Sequence, residues 1–249
     1  MNIKEAHTFY KKQFDMFKEI IDLTGYDKQL AEEIIEQVGK PFSTVLELGA
    51  GNGLLARTLA NYEKNITTVE LVPEMVEFAE QFKTPNVTSL CGSFYEIDIK
   101  ENFDLILYMD GFGVGTDDDQ LRLLKRIYHW LEEDGIALID IYQPNYWKKT
   151  AGQEMKPLGD SKISRVYGYD DEENRMTDTW WEDDNPIETY TQSLKCYTPE
   201  EIYQLCKEAN LQITAYFPGG AMDFVNWKYQ EVVSLSDCLS YRIKVRKNN

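Results

Sequence analysis

This sequence predicts an α/β fold: a doubly wound, mostly parallel seven-stranded sheet with helices on both faces, N-terminal helices and a β-rich lid insertion. Two observations carry that expectation. Apolar, β-branched runs alternate with segments of helical periodicity from residue 44 to residue 142, the rhythm of strand–helix–strand units. The first unit turns through glycines spaced G-x-G-x-G at Gly49, Gly51 and Gly53. Glycine reaches positive φ and lets a ligand approach the backbone, and free N–H groups at the following helix start form a polar cradle.

Along the chain, Phe9, Tyr10, Phe14, Phe17, Ile20 and Ile21, then Leu30, Ile34, Ile35 and Val38, recur at helical spacing. Gly25 splits them into two helices, and Gly39-Lys40-Pro41 ends the second. Residues 44–48 form the first strand and 54–62 the helix after the glycine turn. Residues 65–71 are a β-branched second strand, and Pro73 opens a helix bearing Met75, Val76, Phe78 and Ala79. A short third strand spans 86–90. The nearly continuous apolar run 103–109 suits a strand covered on both faces. Thr116 and Asp119 cap the next helix, and 135–142 is the fifth strand.

Residues 143–194 break the rhythm. They are rich in Tyr, Trp, Asp and Glu, and 170–174 offers a polar turn between strands at 163–169 and 176–181. So many large aromatics argue for an ordered β-rich lid over a solvated linker. Thr198-Pro199-Glu200-Glu201 then caps a helix. Residues 211–217 and 238–245 close the sheet, joined by a long loop that holds Trp227. The expected organisation is a helical cap over 1–40, a cofactor-binding core over 41–142, the lid over 143–194 and completion of the core over 195–249.

The composition excludes several classes. The 249 residues carry 43 acids against 26 Lys plus Arg, a formal charge of −17. Such a chain repels phosphate backbones and anionic membrane surfaces, so neither nucleic acid nor membrane is an expected partner. No apolar run of membrane-spanning length and no signal-peptide core appear. The four scattered cysteines fit buried, reduced thiols in a cytoplasmic protein. No metal-ligand spacing is present, so no metal is expected.

Three ligands compete for the cradle: a triphosphate, a dinucleotide and S-adenosylmethionine. The G-K-[ST] of a phosphate loop is absent. A dinucleotide turn needs its third glycine at position 54, where Leu54 stands. Glu70 ends the second strand 19 residues after Gly51, where a carboxylate accepts both hydrogen bonds of a ribose diol. Glu47, two residues before Gly49, lies near where a sulfonium cofactor's ammonium group needs an acceptor.

With those residues in view, the chain resembles the class I S-adenosylmethionine-dependent methyltransferases, whose sheet is Rossmann-like. Val45-Leu46-Glu47-Leu48-Gly49-Ala50-Gly51-Asn52-Gly53 is similar to that family's first motif, and residues 73–79 resemble its following helix. The resemblance covers roughly 40–142 well and 194–246 loosely. It implies a cytoplasmic enzyme using S-adenosylmethionine, held by Glu47, Gly49, Ala50, Gly51, Gly53, Glu70, Leu71, Met75, Gly92, Ser93, Phe94, Asp110 and Gly111. Two departures stand out. Ser93 occupies the loop where the family often has an acid facing the adenine, and the Asn/Asp-Pro-Pro-aromatic motif of nucleic-acid enzymes is missing after the fourth strand. The second departure and the acidity favour a small-molecule acceptor.

In-line methyl transfer chiefly needs alignment and the exclusion of water. Asp110, at the carboxyl edge of the fourth strand, is the candidate catalytic residue; it either touches the cofactor's methionine part or takes an acceptor proton. Tyr10, Tyr142, Trp147, Arg165, Trp180 and Trp181 are the candidate acceptor-binding residues, with His7 beside Tyr10 on the cap and His129 read as structural. Aromatic faces among carboxylates in the lid can hold a cation such as an amine, or can simply seat a solvated acidic hairpin. An NAD(P)-dependent oxidoreductase and a non-catalytic cofactor-binding protein are the competing functions.

Overall fold

The computed structural model describes residues 3–18, 22–157 and 161–248. Ile20 and Ile21, part of the expected first helix, lie outside them. Helices α1 (Ile3–Phe17) and α2 (Lys28–Val38) precede the sheet. α2 starts at Asp27, whose side chain accepts from the N–H of Leu30, and ends at Gly39 with φ of 67°, the left-handed stop that glycine allows.

The core then runs β1 (Thr44–Leu48), α3 (Leu54–Ala60), β2 (Asn65–Glu70), α4 (Pro73–Gln81), β3 (Val87–Cys91), β4 (Phe103–Tyr108), α5 (Asp117–Trp130) and β5 (Leu131–Tyr142). After the lid come α7 (Pro199–Glu208), β10 (Leu211–Pro218) and β13 (Ser240–Lys247). The seven strands lie in the order β10-β13-β5-β4-β1-β2-β3, with β13 antiparallel to both its neighbours. Sequence order reverses between β1 and β4, both parallel to each other. The carboxyl ends of these two strands flank the crevice where doubly wound sheets take ligands.

Alternation along the central strands fills two layers. Leu46, Leu48, Ile106 and Tyr108 face α5 and α7, while Val45, Leu105 and Leu107 face α2 and α3. These strands are covered on both sides, which is why they read as apolar runs.

The segment after β5 is more varied than a β-rich insertion. Residues Pro144–Thr150 form a helix, α6, with proline in its first turn and the Gln143 side chain capping the N–H of Asn145. It buries Tyr146, Trp147 and Thr150. The lid sheet is four-stranded: β6 (Glu154–Met155), β7 (Ile163–Asp170), β8 (Arg175–Glu182) and β9 (Asn185–Lys195). The expected hairpin is β7–β8, and the third long strand, β9, pairs with β8 over Asn185–Lys195. The expected long loop before the last strand carries a further hairpin, β11 (Ala221–Asp223) with β12 (Lys228–Gln230), and Trp227 lies exposed between them. Among the cysteines, Cys196, Cys206 and Cys238 are buried, whereas Cys91 is exposed at the end of β3. No described helix is long and apolar enough to cross a membrane.

Arg175 fastens the lid to the core. It is nearly buried, and its guanidinium donates to the carbonyls of Gly113, Gly115 and Ser193 and to the Ser193 hydroxyl, at 2.8–3.0 Å. Arg175→Ala leaves these buried acceptors unmatched. It is expected to cost on the order of 3 kcal/mol and lower Tm by roughly 6–12 °C in thermal unfolding.

Candidate functional site

A cavity of about 260 Å³ opens at the carboxyl edge of β1 and β4. Its floor is the turn after β1, where Gly49, Gly51 and Gly53 have φ of 69°, 57° and 74°. Those angles strain any residue with a Cβ. At Gly51 a Cβ would sit 3.4 Å from the Met75 methyl, closing the gap between turn and α4.

Glu70 holds that turn. One carboxylate oxygen accepts from the N–H of Gly51 at 2.8 Å and the other from the N–H of Val72 at 2.8 Å. Burial raises its pKa, and the backbone donors oppose the shift. Glu70 still lines the cavity with Leu71, Met75, Ser93 and Phe94. The opposite wall comes from the cap and lid: Ile3, Ala6, Tyr10 and Gln13 of α1, and Gln192 of β9. Gln192 donates its side-chain N–H to the Tyr10 hydroxyl at 3.0 Å. Tyr108, Met109, Asp110, Gly111 and Val114 complete the wall from β4 and the loop after it.

Asp110 is the residue at which this wall turns polar. Its φ is 53°, a left-handed conformation that a short carboxylate side chain tolerates. Its surface is open, but open into the cavity, with protein packed around it. Desolvation there lifts its pKa to about 6, with Asp140 adding to the rise; a hydrogen bond from the Tyr142 hydroxyl and the more distant Arg165 pull it back. That hydroxyl donates to one Asp110 oxygen.

Tyr142 therefore stands behind Asp110, itself buried and edge-on to Trp147. Trp147 is 1% exposed and donates its ring N–H to the Leu239 carbonyl, a core role under the lid. Arg165 makes a bidentate pair with Asp178 at 3.1 and 2.9 Å and donates to the Tyr167 hydroxyl at 2.6 Å. Its guanidinium lies 4.5 Å from the ring centres of both Tyr167 and Trp180. The lid's aromatic box is thus filled by the chain's own cation. Burial raises Asp178 to about 6 against the pull of Arg165. Trp181, next to Trp180 in β8, is half-buried and does not line the cavity.

The cavity therefore gathers Tyr10, Gly49, Gly51, Glu70, Leu71, Met75, Ser93, Phe94, Asp110 and Gly111 from the expected residues. Ala50, Gly53 and Gly92 shape the turns behind the wall and are not part of it. Glu47 is also outside: it is 5% exposed on the β1 face that carries Val45, and burial, then the neighbouring Glu70, push it up to about 8. Trp147, Arg165, Trp180 and Trp181 do not reach the wall, and Tyr142 acts on it through Asp110. His7, on the cap, is close enough to Glu70 to favour its charged form.

Gln192, Gln13 and Val114 are wall residues that the sequence reading passed over. For Gln192 a signal existed: it pairs in register with Asp178, and both are buried polar residues on lid positions whose neighbours Met176 and Leu194 are apolar. Polar residues at inward positions of a strand mark a face that meets something other than core.

Glu70 and Asp110 are the charged side chains of this wall, with no Lys or Arg among the lining residues. A positively charged nucleoside fits there: glycine backbone against it, a carboxylate at the end of β2, apolar Met75 and Phe94 for a base. Residues 45–135 match the family model described as a methyltransferase domain. A malonyl-[acyl-carrier protein] O-methyltransferase from Anoxybacillus flavithermus is 34% identical over 83 residues, 32% of this chain and 32% of that protein. The chain thus aligns with about a third of that relative's length. Over whole chains, the CcbJ methyltransferase from Streptomyces caelestis superposes with a TM-score of 0.76 at 17% identity, covering 97% of this chain and 98% of that one. An amino pentose methyltransferase from Micromonospora echinaspora, with S-adenosylmethionine bound, gives 0.66 at 15% identity, covering 96% of each.

Fold and turn together define a Rossmann-like α/β architecture with a glycine cradle at the point where strand order reverses. Residues 45–135 are thus similar to a methyltransferase domain, and the whole chain shares its fold with solved methyltransferases, one of them with S-adenosylmethionine bound. Gly51→Val is expected to abolish binding of S-adenosylmethionine in calorimetry. The backbone strain of about 1–3 kcal/mol leaves the chain folded by circular dichroism.

Proposed function

We propose that the protein transfers a methyl group from S-adenosylmethionine to an amine on a small molecule. The observation that carries this reading is the charge of the cavity wall, two carboxylates with no Lys or Arg among the described lining residues. Such a wall favours a sulfonium cofactor and a nitrogen that becomes positive. The amino pentose acceptor named for one structural neighbour is of that chemical class. Neither an NAD(P)-dependent oxidoreductase nor a non-catalytic binding protein is favoured: Leu54 replaces the dinucleotide glycine, and the family model matched is a methyltransferase domain.

The domain's cofactor supplies an electrophilic methyl group on a positively charged sulfur. Gly49 and Gly51 offer close backbone approach, Glu70 offers acceptor oxygens for a ribose, and Met75 and Phe94 offer apolar walls for the base. Asp110 accepts an N–H of a neutral acceptor amine and so orients its lone pair. As positive charge grows on that nitrogen, the Asp110 carboxylate gains interaction energy with it, which lowers the barrier. Tyr142 keeps the carboxylate aimed and ionised. Tyr10 and Gln192 close the wall from cap and lid and exclude water.

The measurement that tests this is product formation with S-adenosylmethionine across a panel of small amines, phenols and carboxylic acids. Turnover of amines is expected; turnover confined to phenols or acids would reject the amine acceptor.

The acid limb of kcat/KM gives a second check. Asp110 must be ionised, and its folded value of about 6 lies above the unfolded value of about 3.9. Activity is therefore lost as pH falls through about 6. The same shift costs folding free energy above that pH, and the cost is relieved as pH falls toward the unfolded value. Asp110→Asn is expected to lower kcat about 100-fold and to remove that limb, since Asp178 is engaged by Arg165 and does not line the cavity. Unchanged kcat in the variant would assign the role elsewhere.

A further inference from the structure

Arg57 lies outside the cavity wall but joins two segments on which the wall depends. It sits in the last turn of α3 and is 2% exposed. Nη1 donates at 2.7 Å to the carbonyl of Asn52, inside the glycine turn, and Nη2 donates at 2.6 Å to the carbonyl of Leu23, in the connector between α1 and α2. The Phe82 ring stands 5.7 Å from the guanidinium, and the buried Glu47 carboxyl group, its pKa raised by burial, lies nearby. Charge-assisted bonds from a rigid, desolvated fork hold their acceptors in a fixed relation. The next residue, Thr58, also ties α3 to the connector, accepting from the N–H of Asp27 at 3.0 Å, but it does not touch the turn.

We propose that Arg57 is a positioning residue that couples the glycine turn to the cap helix, so that filling the cofactor cradle and seating α1 over the cavity favour each other. The inference rests on the cofactor reading above. A ligand on the turn packs against Gly49 and Gly51, next to the Asn52 carbonyl that holds the guanidinium, which in turn holds Leu23 in the connector. The cap brings Ile3, Ala6, Tyr10 and Gln13 to the same cavity. Two elements that each bind better when the other is in place share a coupling free energy, and the coupling is reciprocal.

The test uses the full chain with S-adenosylhomocysteine as probe, reading its affinity by calorimetry and the rate of tryptic cleavage within α1, at Lys11 or Lys12. In the wild type, saturating probe is expected to slow cleavage about tenfold; in Arg57→Lys the protection falls below about twofold. Thr58→Val loses the other tie, lowers Tm and keeps wild-type protection. Should Arg57→Lys fail to fold, Arg57→Met, which fills the same buried space without charge, carries the same readout. A purely structural arginine would lower Tm with and without probe alike and leave the protection ratio unchanged. An Arg57 variant that binds the probe with wild-type protection overturns the proposal, and so does equal loss in Thr58→Val. A wild type that fails to bind the probe overturns the cofactor reading instead.

Discussion

The site depends on the carboxylate of Glu70. By accepting from Gly51 and Val72 it locks the turn after β1 to the chain leaving β2, two strands that lie side by side next to the point where the sheet's order reverses. Three residues of the turn hold left-handed angles there, and each would be costly in a loose loop. A buried carboxylate is costly too, as its raised pKa records. Each offsets the other: the turn's N–H groups solvate the carboxylate, and the carboxylate fixes the turn. What is left between them is a cradle with a negative edge and apolar sides.

The core of this arrangement was legible because local sequence determines it. Alternating apolar runs from β1 to β5 define buried strands, and the G-x-G-x-G turn follows from backbone angles, with the acid ending β2 bonded to it. The cap and lid were less legible. Their contribution to the cavity depends on which face of α1 and β9 meets which, a tertiary fact. Tyr10 and Gln192 lie far apart in sequence and meet through one hydrogen bond. The helix α6 was hidden for a related reason: its buried face is aromatic, and Tyr146 with Trp147 at that density resembles strand composition until Pro144 and the Gln143 cap are weighed.

Glu47 shows how a motif can place a residue without giving its direction. It lies two positions before Gly49, and a period of two decides which face of β1 it joins. It joins the face of Val45, toward α2 and α3, near Arg57 and outside the cavity lining. The group that grips the turn is the nearby Arg57 guanidinium, through the Asn52 carbonyl.

The lid completes the argument about charge. Its aromatic faces invite a cation, and Arg165 already supplies one, stacked between Tyr167 and Trp180 and paired with Asp178. An aromatic box filled from within has no face left for a ligand's ammonium group. In the proposed function, recognition of positive charge therefore falls to the carboxylate that does open into the cavity, Asp110, with Tyr142 behind it. The distinction is physical. A quaternary ammonium has no N–H and binds an aromatic face through its diffuse charge, whereas a primary or secondary amine brings an N–H that a single carboxylate can accept and aim. With the box closed and the carboxylate open, the wall suits an amine that still has a hydrogen to donate.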